Sequence, residues 1–394
     1  MAFPARPAVL AQFNHIMQAG NLGQTYLFVG PQGAGKEVTA LEIARLANCP
    51  RDPICNGPTL CESCQKAVTF QHPDIRWLCP APANVDANQV REILERKRED
   101  VFYQPSFTAS ARISIGHPDD PGPFTIRALL RFLRVHAFQG RYKIAVVSDG
   151  HRMTNEAANA FLKTLEEPSP ASLIMLLTSN RTGLLPTILS RCQQIRFDPY
   201  PEAELVELLG SRRQLPREAA QGLARSADGN VRKALALLQP QALALHIWAR
   251  KLLEWVHEGR AGSAFLSAEA LHLGKIPQEA LPPGNDAIDD ARDLASKRER
   301  AIQLCEMLNL YYSEVLGCRE QGAGWRPRLP ADVEQVRGWP QRRQTPNLLR
   351  DIDQVEATKR EIDRNLNIGL TMAVLFQGLI EHAKQDQEVG RARD

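Results

Sequence analysis

Three short apolar runs, separated by helical patterns, organise the first half of the chain. The runs occupy residues 25–30, 143–147 and 173–178. Apolar positions repeat at the spacing of an amphipathic helix over residues 38–47, 126–136 and 156–165. Strands that alternate with helices predict an α/β domain in which helices cover both faces of a parallel sheet.

The pattern changes beyond residue 200, where the strand signals stop. Residues 202–210, 217–226 and 231–238 predict three short amphipathic helices. The chain stays helical in pattern beyond residue 241, with interruptions rich in Pro and Gly at residues 281–286 and 322–346. We therefore predict an α/β core at residues 1–200, a small helical lid at 201–240 and an all-helical domain at 241–394.

One segment of the predicted core fits this alternation poorly. Residues 80–123 hold a single charged helix, at 90–99, and several prolines. Long stretches without regular structure are uncommon inside compact domains. We predict that this segment is an exposed insertion.

A phosphate-binding loop follows the first apolar run. The sequence GPQGAGKE at residues 30–37 has the spacing of a P-loop, in which glycines turn backbone amides towards phosphates and a lysine reaches the terminal ones. Gly30, Gly33, Gly35 and Lys36 are the candidate nucleotide-binding residues. The next position normally carries Ser or Thr as a Mg²⁺ ligand, and here it is Glu37, whose negative charge repels phosphate.

The second apolar run ends without the acidic pair that ATP hydrolysis requires. In one register Ser148 replaces the metal-binding Asp, and Asp149 stands where Glu activates water. In the other register Asp149 binds the metal and Gly150 replaces the base. Either register lacks one catalytic group, so we expect no useful hydrolysis, and the sequence leaves the binding of ATP and Mg²⁺ open.

Composition places the chain among ordinary globular proteins. Lys and Arg number 48 and Asp and Glu 45, a net charge of +3 that does not indicate nucleic-acid binding. No apolar run approaches the length of a membrane span, and we expect a cytoplasmic protein. Four of the 8 cysteines fall in one window, Cys49, Cys55, Cys61 and Cys64. Such grouping in a reducing compartment favours a tetrahedral, structural Zn²⁺ site at residues 49–64.

Two longer strings carry a resemblance to a known family. The sequences NAFLKTLEEP at residues 159–168 and LLPTILSRC at residues 184–192 resemble the AAA+ subunits of the bacterial DNA polymerase III clamp loader, of the delta-prime and gamma/tau types. The resemblance covers residues 8–238, continues more weakly over 361–379, and fails over the insertion. It implies an AAA+ fold with a helical lid and a C-terminal helical collar through which subunits form a ring.

The resemblance also implies roles for individual residues. Arg191 of the Ser-Arg-Cys motif stands where the family carries an arginine finger that reaches the γ-phosphate held by a neighbouring subunit, a role that suits a guanidinium. Thr178 lies at the family's sensor 1 position, and Arg232 at its sensor 2 position, for which a solvent-exposed helix residue is the competing interpretation. The cysteines resemble the family's zinc module, except that Pro58 stands where one cysteine is usual.

The function implied by the resemblance is clamp loading on primed DNA by a delta-prime-type subunit that does not turn over ATP. Its partners would be the gamma/tau motor subunits, the delta subunit, the sliding clamp and primer-template DNA, without a membrane. One alternative is an active ATPase motor of the gamma/tau type. A second is a zinc-containing DNA-binding protein outside replication, for which a basic stripe would be required.

Overall fold

The computed structural model describes residues 5–20, 22, 25–55, 59–82, 85–99, 101, 103, 111–169, 171–238, 240–277, 294–328, 333–339, 343–364 and 366–391. Pro58, residues 83–84, 100, 102 and 104–110 of the predicted insertion, and the interruption at 281–286 lie outside these residues. The chain divides into two compact units. One comprises Met1–Pro201 with Gly229–Arg232, and the other comprises Glu202–Asp228 with Lys233–Asp394.

The elements of the first unit alternate as the apolar pattern predicts. In chain order they are α1 (Pro7–Gln18), β1 (Thr25–Val29), α2 (Lys36–Ala47), α3 (Glu62–Val68), β2 (Ile75–Leu78), α4 (Ala87–Glu99), α5 (Ile126–Leu133), β3 (Lys143–Val147), α6 (Asn155–Glu166), β4 (Ser172–Thr178), α7 (Pro186–Leu189) and β5 (Gln193–Arg196).

All five strands are parallel and follow the order β2-β3-β4-β1-β5. Alternate residues of a strand point to opposite faces of a sheet, so each face of β1 meets its own layer. Leu27 joins the core cluster formed with residues of α5, α6 and α7. Tyr26 and Phe28 contact Phe13 of α1, with ring centroids 4.7 and 6.0 Å apart. The predicted parallel sheet with helices on both faces is thus confirmed.

Helix α5 is shorter than predicted, and the difference has a visible cause. The helix ends at Leu133, and residues 138–140 turn over the buried carboxylate of Asp74. That carboxylate accepts hydrogen bonds from the backbone N–H groups of Phe138, Gln139 and Gly140 at 2.6–2.7 Å. Backbone amides just beyond the predicted end of the helix thus bond to a side chain from another part of the chain.

The second unit is helical throughout its described residues. Its helices are α8 (Glu202–Arg213), α9 (Arg217–Ala227), α10 (Val231–Ala236, whose first two residues belong to the first unit), α11 (Pro240–His257), α12 (Ala261–Leu273), α13 (Leu294–Gln321), α14 (Val333–Gly338), α15 (Thr345–Asp363) and α16 (Ile368–Arg391). A single apolar cluster includes side chains from α11 to α16. The division into a lid at residues 201–240 and a collar at 241–394 stays a prediction.

Three charged side chains, one basic and two acidic, are buried together at the last two helices of this unit. Arg343 is 2% exposed and pairs with the fully buried Asp351 and with Asp386. Asn367 caps α16, because its side-chain oxygen accepts a hydrogen bond from the Leu370 amide at 3.0 Å. No helix among the described residues is long and apolar enough to cross a membrane.

Candidate functional site

The P-loop connects β1 to α2, and two of its glycines are required by their surroundings. Gly33 and Gly35 have φ angles of 70° and 87°, in the region that favours glycine. A Cβ atom at Gly35 would lie 2.3 Å from the hydroxyl oxygen of Tyr200, and one at Gly33 would lie 1.8 Å from the side-chain oxygen of Asn230. The loop therefore lies directly beneath these two side chains and ends at the N-terminus of α2, where backbone amides favour an anion.

Lys36 is turned towards its own loop. Its Nζ atom donates hydrogen bonds to the carbonyl oxygens of Gly30 at 2.7 Å and Pro31 at 2.6 Å, and the residue is 2% exposed. Burial lowers the pKa of the ammonium group, and the nearby carboxylates of Glu37 and Asp149 oppose that shift. A phosphate that enters this loop must replace two charge-assisted hydrogen bonds before it gains the lysine.

The metal side of the loop matches the expectation from sequence only in part. Asp149 follows β3 in a left-handed conformation with φ of 49°, close enough to influence Lys36 electrostatically. In the part of the chain that the structure describes, the Glu37 Oε2 and Ser148 Oγ atoms are buried without a hydrogen-bond partner. The hydroxyl that normally follows the lysine and binds Mg²⁺ is a carboxylate here, which is a cation ligand but repels the phosphates of a nucleotide.

Thr178 lies at the end of β4, where it is buried and bonded to its neighbours. Its hydroxyl donates to the Asn180 carbonyl oxygen at 2.9 Å and accepts from the Asn180 amide at 3.1 Å. The Nδ1 atom of His151 lies 3.1 Å from the same hydroxyl. Burial lowers the pKa of His151, and the Asp149 carboxylate opposes this shift. The contact of His151 with Thr178 joins the segment after β3 to the end of β4. Sequence reasoning did not identify His151.

Arg232 lies beside the P-loop, as the sensor 2 interpretation requires. The segment Gly229–Arg232 groups with the first unit, and the Val231 amide donates to the Gly33 carbonyl oxygen at 3.2 Å. The Nη1 atom of Arg232 is 3.5 Å from the side-chain oxygen of Gln32. The guanidinium is thereby near the loop, while its action on a nucleotide stays a prediction.

Arg191 follows α7 in the Ser-Arg-Cys motif, next to the buried Cys192. Cys192 belongs to the apolar core, which fixes the backbone beneath the arginine. The Arg191 side chain is 31% exposed and donates from Nη1 to the Thr187 carbonyl oxygen at 2.9 Å. It also pairs with Glu166 of α6. The guanidinium is thus at the surface in a defined position.

The four clustered cysteines converge as their spacing predicts. Cys49 follows α2, Cys61 and Cys64 lie at the start of α3, and Cys55 lies between these helices. All four Sγ atoms lie within 4.8 Å of one another, and all four residues are buried. A tetrahedral ion with bonds of about 2.3 Å needs sulfur atoms roughly 3.8 Å apart, and thiolates suit Zn²⁺. The donor set therefore fits a closed structural metal site.

A charged residue from α2 contacts this cluster. Arg45 is 5% exposed, and its Nη1 atom donates to the Cys55 carbonyl oxygen at 2.8 Å and to Cys64 Sγ at 3.4 Å. Glu42 holds the other edge of the guanidinium at 2.6 and 2.8 Å. Because α2 begins at Lys36, the same helix carries the P-loop lysine at one end and a contact to the cysteine cluster at the other. Sequence reasoning did not identify Arg45.

Strand order, a P-loop after β1, and polar residues at the ends of β3 and β4 define an α/β P-loop domain of the AAA+ class. The family model described as "DNA polymerase III, delta subunit" matches residues 5–118 and 124–201. The chain belongs to the clamp-loader family of DNA polymerase III subunits. The expectation that the resemblance fails over residues 80–123 is wrong for 80–118, which the family model includes.

Relatives of both subunit types are similar to this chain. The delta' subunit of Bacillus subtilis is 26% identical over 264 residues, 66% of this chain and 67% of the relative. The delta' subunit of Pseudomonas aeruginosa is 30% identical over 200 residues, 50% of this chain and 49% of the relative. The gamma/tau subunit of Mycobacterium tuberculosis H37Rv is 30% identical over 206 residues, 51% of this chain but only 29% of the relative.

Proposed function

We propose that this chain is a delta-prime-type subunit of a clamp loader, which contributes an arginine finger to a neighbouring motor subunit and does not hydrolyse ATP itself. The observation that carries the proposal is a contrast within one domain. Arg191 lies at the surface in a fixed position, whereas Glu37 and Ser148 occupy positions where ATP hydrolysis needs a hydroxyl and a carboxylate.

The chemistry of a finger suits this contrast. A guanidinium delivered to another subunit's ATP stabilises negative charge on the transferring phosphoryl group, and it needs no nucleotide on its own chain. Lys36 Nζ donates hydrogen bonds to two carbonyl oxygens of its own loop, which a phosphate would have to replace. In this proposal Thr178 and Arg232 keep the sensor positions of the family around a site that binds ATP weakly or not at all.

We propose a structural Zn²⁺ held by Cys49, Cys55, Cys61 and Cys64. Bound there, the ion would link the segment after α2 to the start of α3. Four thiolates would fill the tetrahedral coordination and leave no position for a substrate. The ion would therefore contribute to folding and not to catalysis.

The proposed partners are the gamma/tau motor subunits and the delta subunit in a hetero-oligomeric ring, with the sliding clamp and primer-template DNA engaged through the assembly in the cytoplasm. An apolar surface on the helical unit supports an interface. On α16, Leu370 is 68% exposed and Val374 is 58% exposed, and these residues are one helical turn apart. Adjacent exposed apolar side chains on one helix face suit a protein interface.

ATP turnover by the purified chain, alone and mixed with motor and delta subunits, tests the proposal. We expect the chain alone to hydrolyse no ATP. Mixing it with motor and delta subunits should raise their ATP turnover, and this increase is the added turnover. Arg191→Ala should abolish the added turnover. An added turnover that survives Arg191→Ala would rule out the finger.

An active gamma/tau-type motor is the second candidate, favoured by the closeness of Asp149 to Lys36 and by the gamma/tau relatives. Steady ATP turnover by the chain alone, lost in Asp149→Asn, would establish it. Membership of the clamp-loader family leaves the DNA-binding alternative outside replication without support.

A further inference from the structure

Glu166, the last residue of α6, forms an ion pair with Arg191, which follows α7 at the surface. The Glu166 Oε1 atom accepts a hydrogen bond from Arg191 Nε at 2.5 Å and is also paired with Nη2. These residues lie 25 positions apart, so the contact depends on the packing of α6 against α7. The adjacent Glu167 is exposed and caps the end of α6.

The contacts of Arg191 place Glu166 on the Nε side of its guanidinium. A guanidinium carries five N–H donors in a planar fork. Glu166 accepts from Nε and pairs with Nη2, the Thr187 carbonyl oxygen accepts from Nη1 at 2.9 Å, and the Ser190 Oγ atom lies 3.5 Å from Nη1. One N–H on each terminal nitrogen is then directed away from Glu166, and this pair has the geometry that binds two oxygens of a phosphate.

We infer that Glu166 is the positioning residue for Arg191, which orders the guanidinium so that its terminal edge faces a neighbouring subunit's phosphate. The inference rests on the proposed function. An arginine side chain has many rotamers and loses conformational entropy when it is fixed in one of them. If Glu166 orders the side chain beforehand, that entropy is not lost in the step that stabilises the phosphoryl group. Glu166 is 45% exposed, so water screens its charge and the arginine keeps its attraction for phosphate.

A rival interpretation is that Glu166 competes with phosphate and restrains Arg191. The contacts favour positioning. Glu166 occupies only the Nε side, and the arginine can bind phosphate through its terminal edge while the pair with Glu166 stays intact. A restraining carboxylate would be expected to occupy the terminal edge itself.

The test uses the full chain mixed with its motor and delta subunits, sliding clamp and primed DNA. We expect Glu166→Ala to lower the added turnover at saturating ATP by roughly 10- to 100-fold, the loss typical of a misplaced catalytic group, with little change in KM for ATP. Glu166→Gln keeps one acceptor and should lose less. Glu167→Gln is the matched control and should behave as the unmodified chain, and thermal unfolding should show that all variants are folded.

A double-mutant comparison separates positioning from a structural role. In an Arg191→Ala background, Glu166→Ala should cause no further loss, because the group that it positions is gone. A further loss there, an unchanged added turnover in Glu166→Ala, or an increase would each overturn the inference. If Arg191→Ala alone has no effect, the proposed function fails as well. If Arg191→Ala abolishes the added turnover and Glu166→Ala does not lower it, only the positioning inference fails.

Discussion

The Nζ atom of Lys36 lies 2.6 Å from the carbonyl oxygen of Pro31, so the lysine of the phosphate-binding loop bonds to the loop itself. A second bond, to Gly30, completes the arrangement at 2.7 Å. The loop has the glycines and the helix of a nucleotide site, yet its cation is satisfied within the chain. In the proposed function the chain acts through Arg191 at its surface and not through ATP of its own.

Lys36→Met should therefore matter little to the assembled clamp loader. We expect the added turnover to change by less than about threefold, which corresponds to well under 1 kcal/mol of activation free energy. Steady-state ATP hydrolysis of the mixture measures it. The matched control is the same substitution at the P-loop lysine of the motor subunit, which should abolish turnover. A comparable loss with Lys36→Met would mean that this chain's own nucleotide drives the reaction.

Arg45 should support the metal site. Arg45→Met removes an N–H donor to Cys64 and another to the Cys55 carbonyl, and we expect zinc affinity to fall about 10- to 100-fold, as for other residues that contact metal ligands. Competition with a chromogenic chelator measures the affinity, and elemental analysis should give one zinc per unmodified chain. Arg51→Met, at an exposed position beside the cluster, is the control. Equal affinities of the two variants would contradict the assignment.

Asp74 should make stability depend on pH in the acid range. Burial raises the pKa of its carboxyl, but Lys143, with Nζ 2.8 Å away, and three backbone amides outweigh that effect and hold the pKa at about 2. Because this value lies below the ordinary 3.8, the stabilisation is complete above about pH 4 and is lost as the pH falls towards 2. The contribution is about 2 kcal/mol.

Asp74→Asn tests this contribution. We expect it to lower the free energy of unfolding at pH 7 by about 2–4 kcal/mol, because Lys143 loses its buried partner. The difference from the unmodified chain should shrink below pH 4 in urea unfolding. Asp119→Asn, whose side chain is 94% exposed, serves as the control and should have no effect. A pH-independent difference would show that the carboxylate's charge is not the stabilising feature.

The exposed apolar positions of α16 should matter for assembly and not for folding. We expect the double variant Leu370→Glu with Val374→Glu to stay folded by circular dichroism but to lose co-elution with motor and delta subunits in gel filtration. Each carboxylate placed in an apolar interface costs several kcal/mol of binding. Gln385→Glu, at an exposed position of the same helix eleven residues after Val374, is the control. Normal co-elution of the double variant would place the interface elsewhere.

The central strands could be predicted from sequence, and the edge strands could not. β1, β3 and β4 are nearly fully buried and therefore appear as apolar runs. β2 and β5 lie at the two edges of the sheet. β5 buries only Ile195, and β2 includes Arg76, whose guanidinium lies 5.2 Å from the Phe132 ring centroid. Edge strands need less apolar surface, which removes the pattern that prediction uses.

Some parts of the candidate site could also be predicted from sequence, and others could not. The P-loop and the cysteine cluster could be predicted because their residues are close in the chain and their chemistry restricts residue type. Contacts made across the fold left no such signal. Arg45 and Cys64 are 19 positions apart, and Arg191 and Glu166 are 25 apart, so only the packing of helices brings each pair together.

The most direct test of the central claim is ATP turnover by the chain alone and with its motor and delta subunits, comparing unmodified Arg191 with Arg191→Ala and Arg191→Lys. The account predicts no turnover alone, and an added turnover that both substitutions abolish, because a finger of this type contributes about 10³-fold or more and lysine lacks the planar fork. Turnover by the chain alone, or an added turnover that is unchanged in Arg191→Ala, would contradict it.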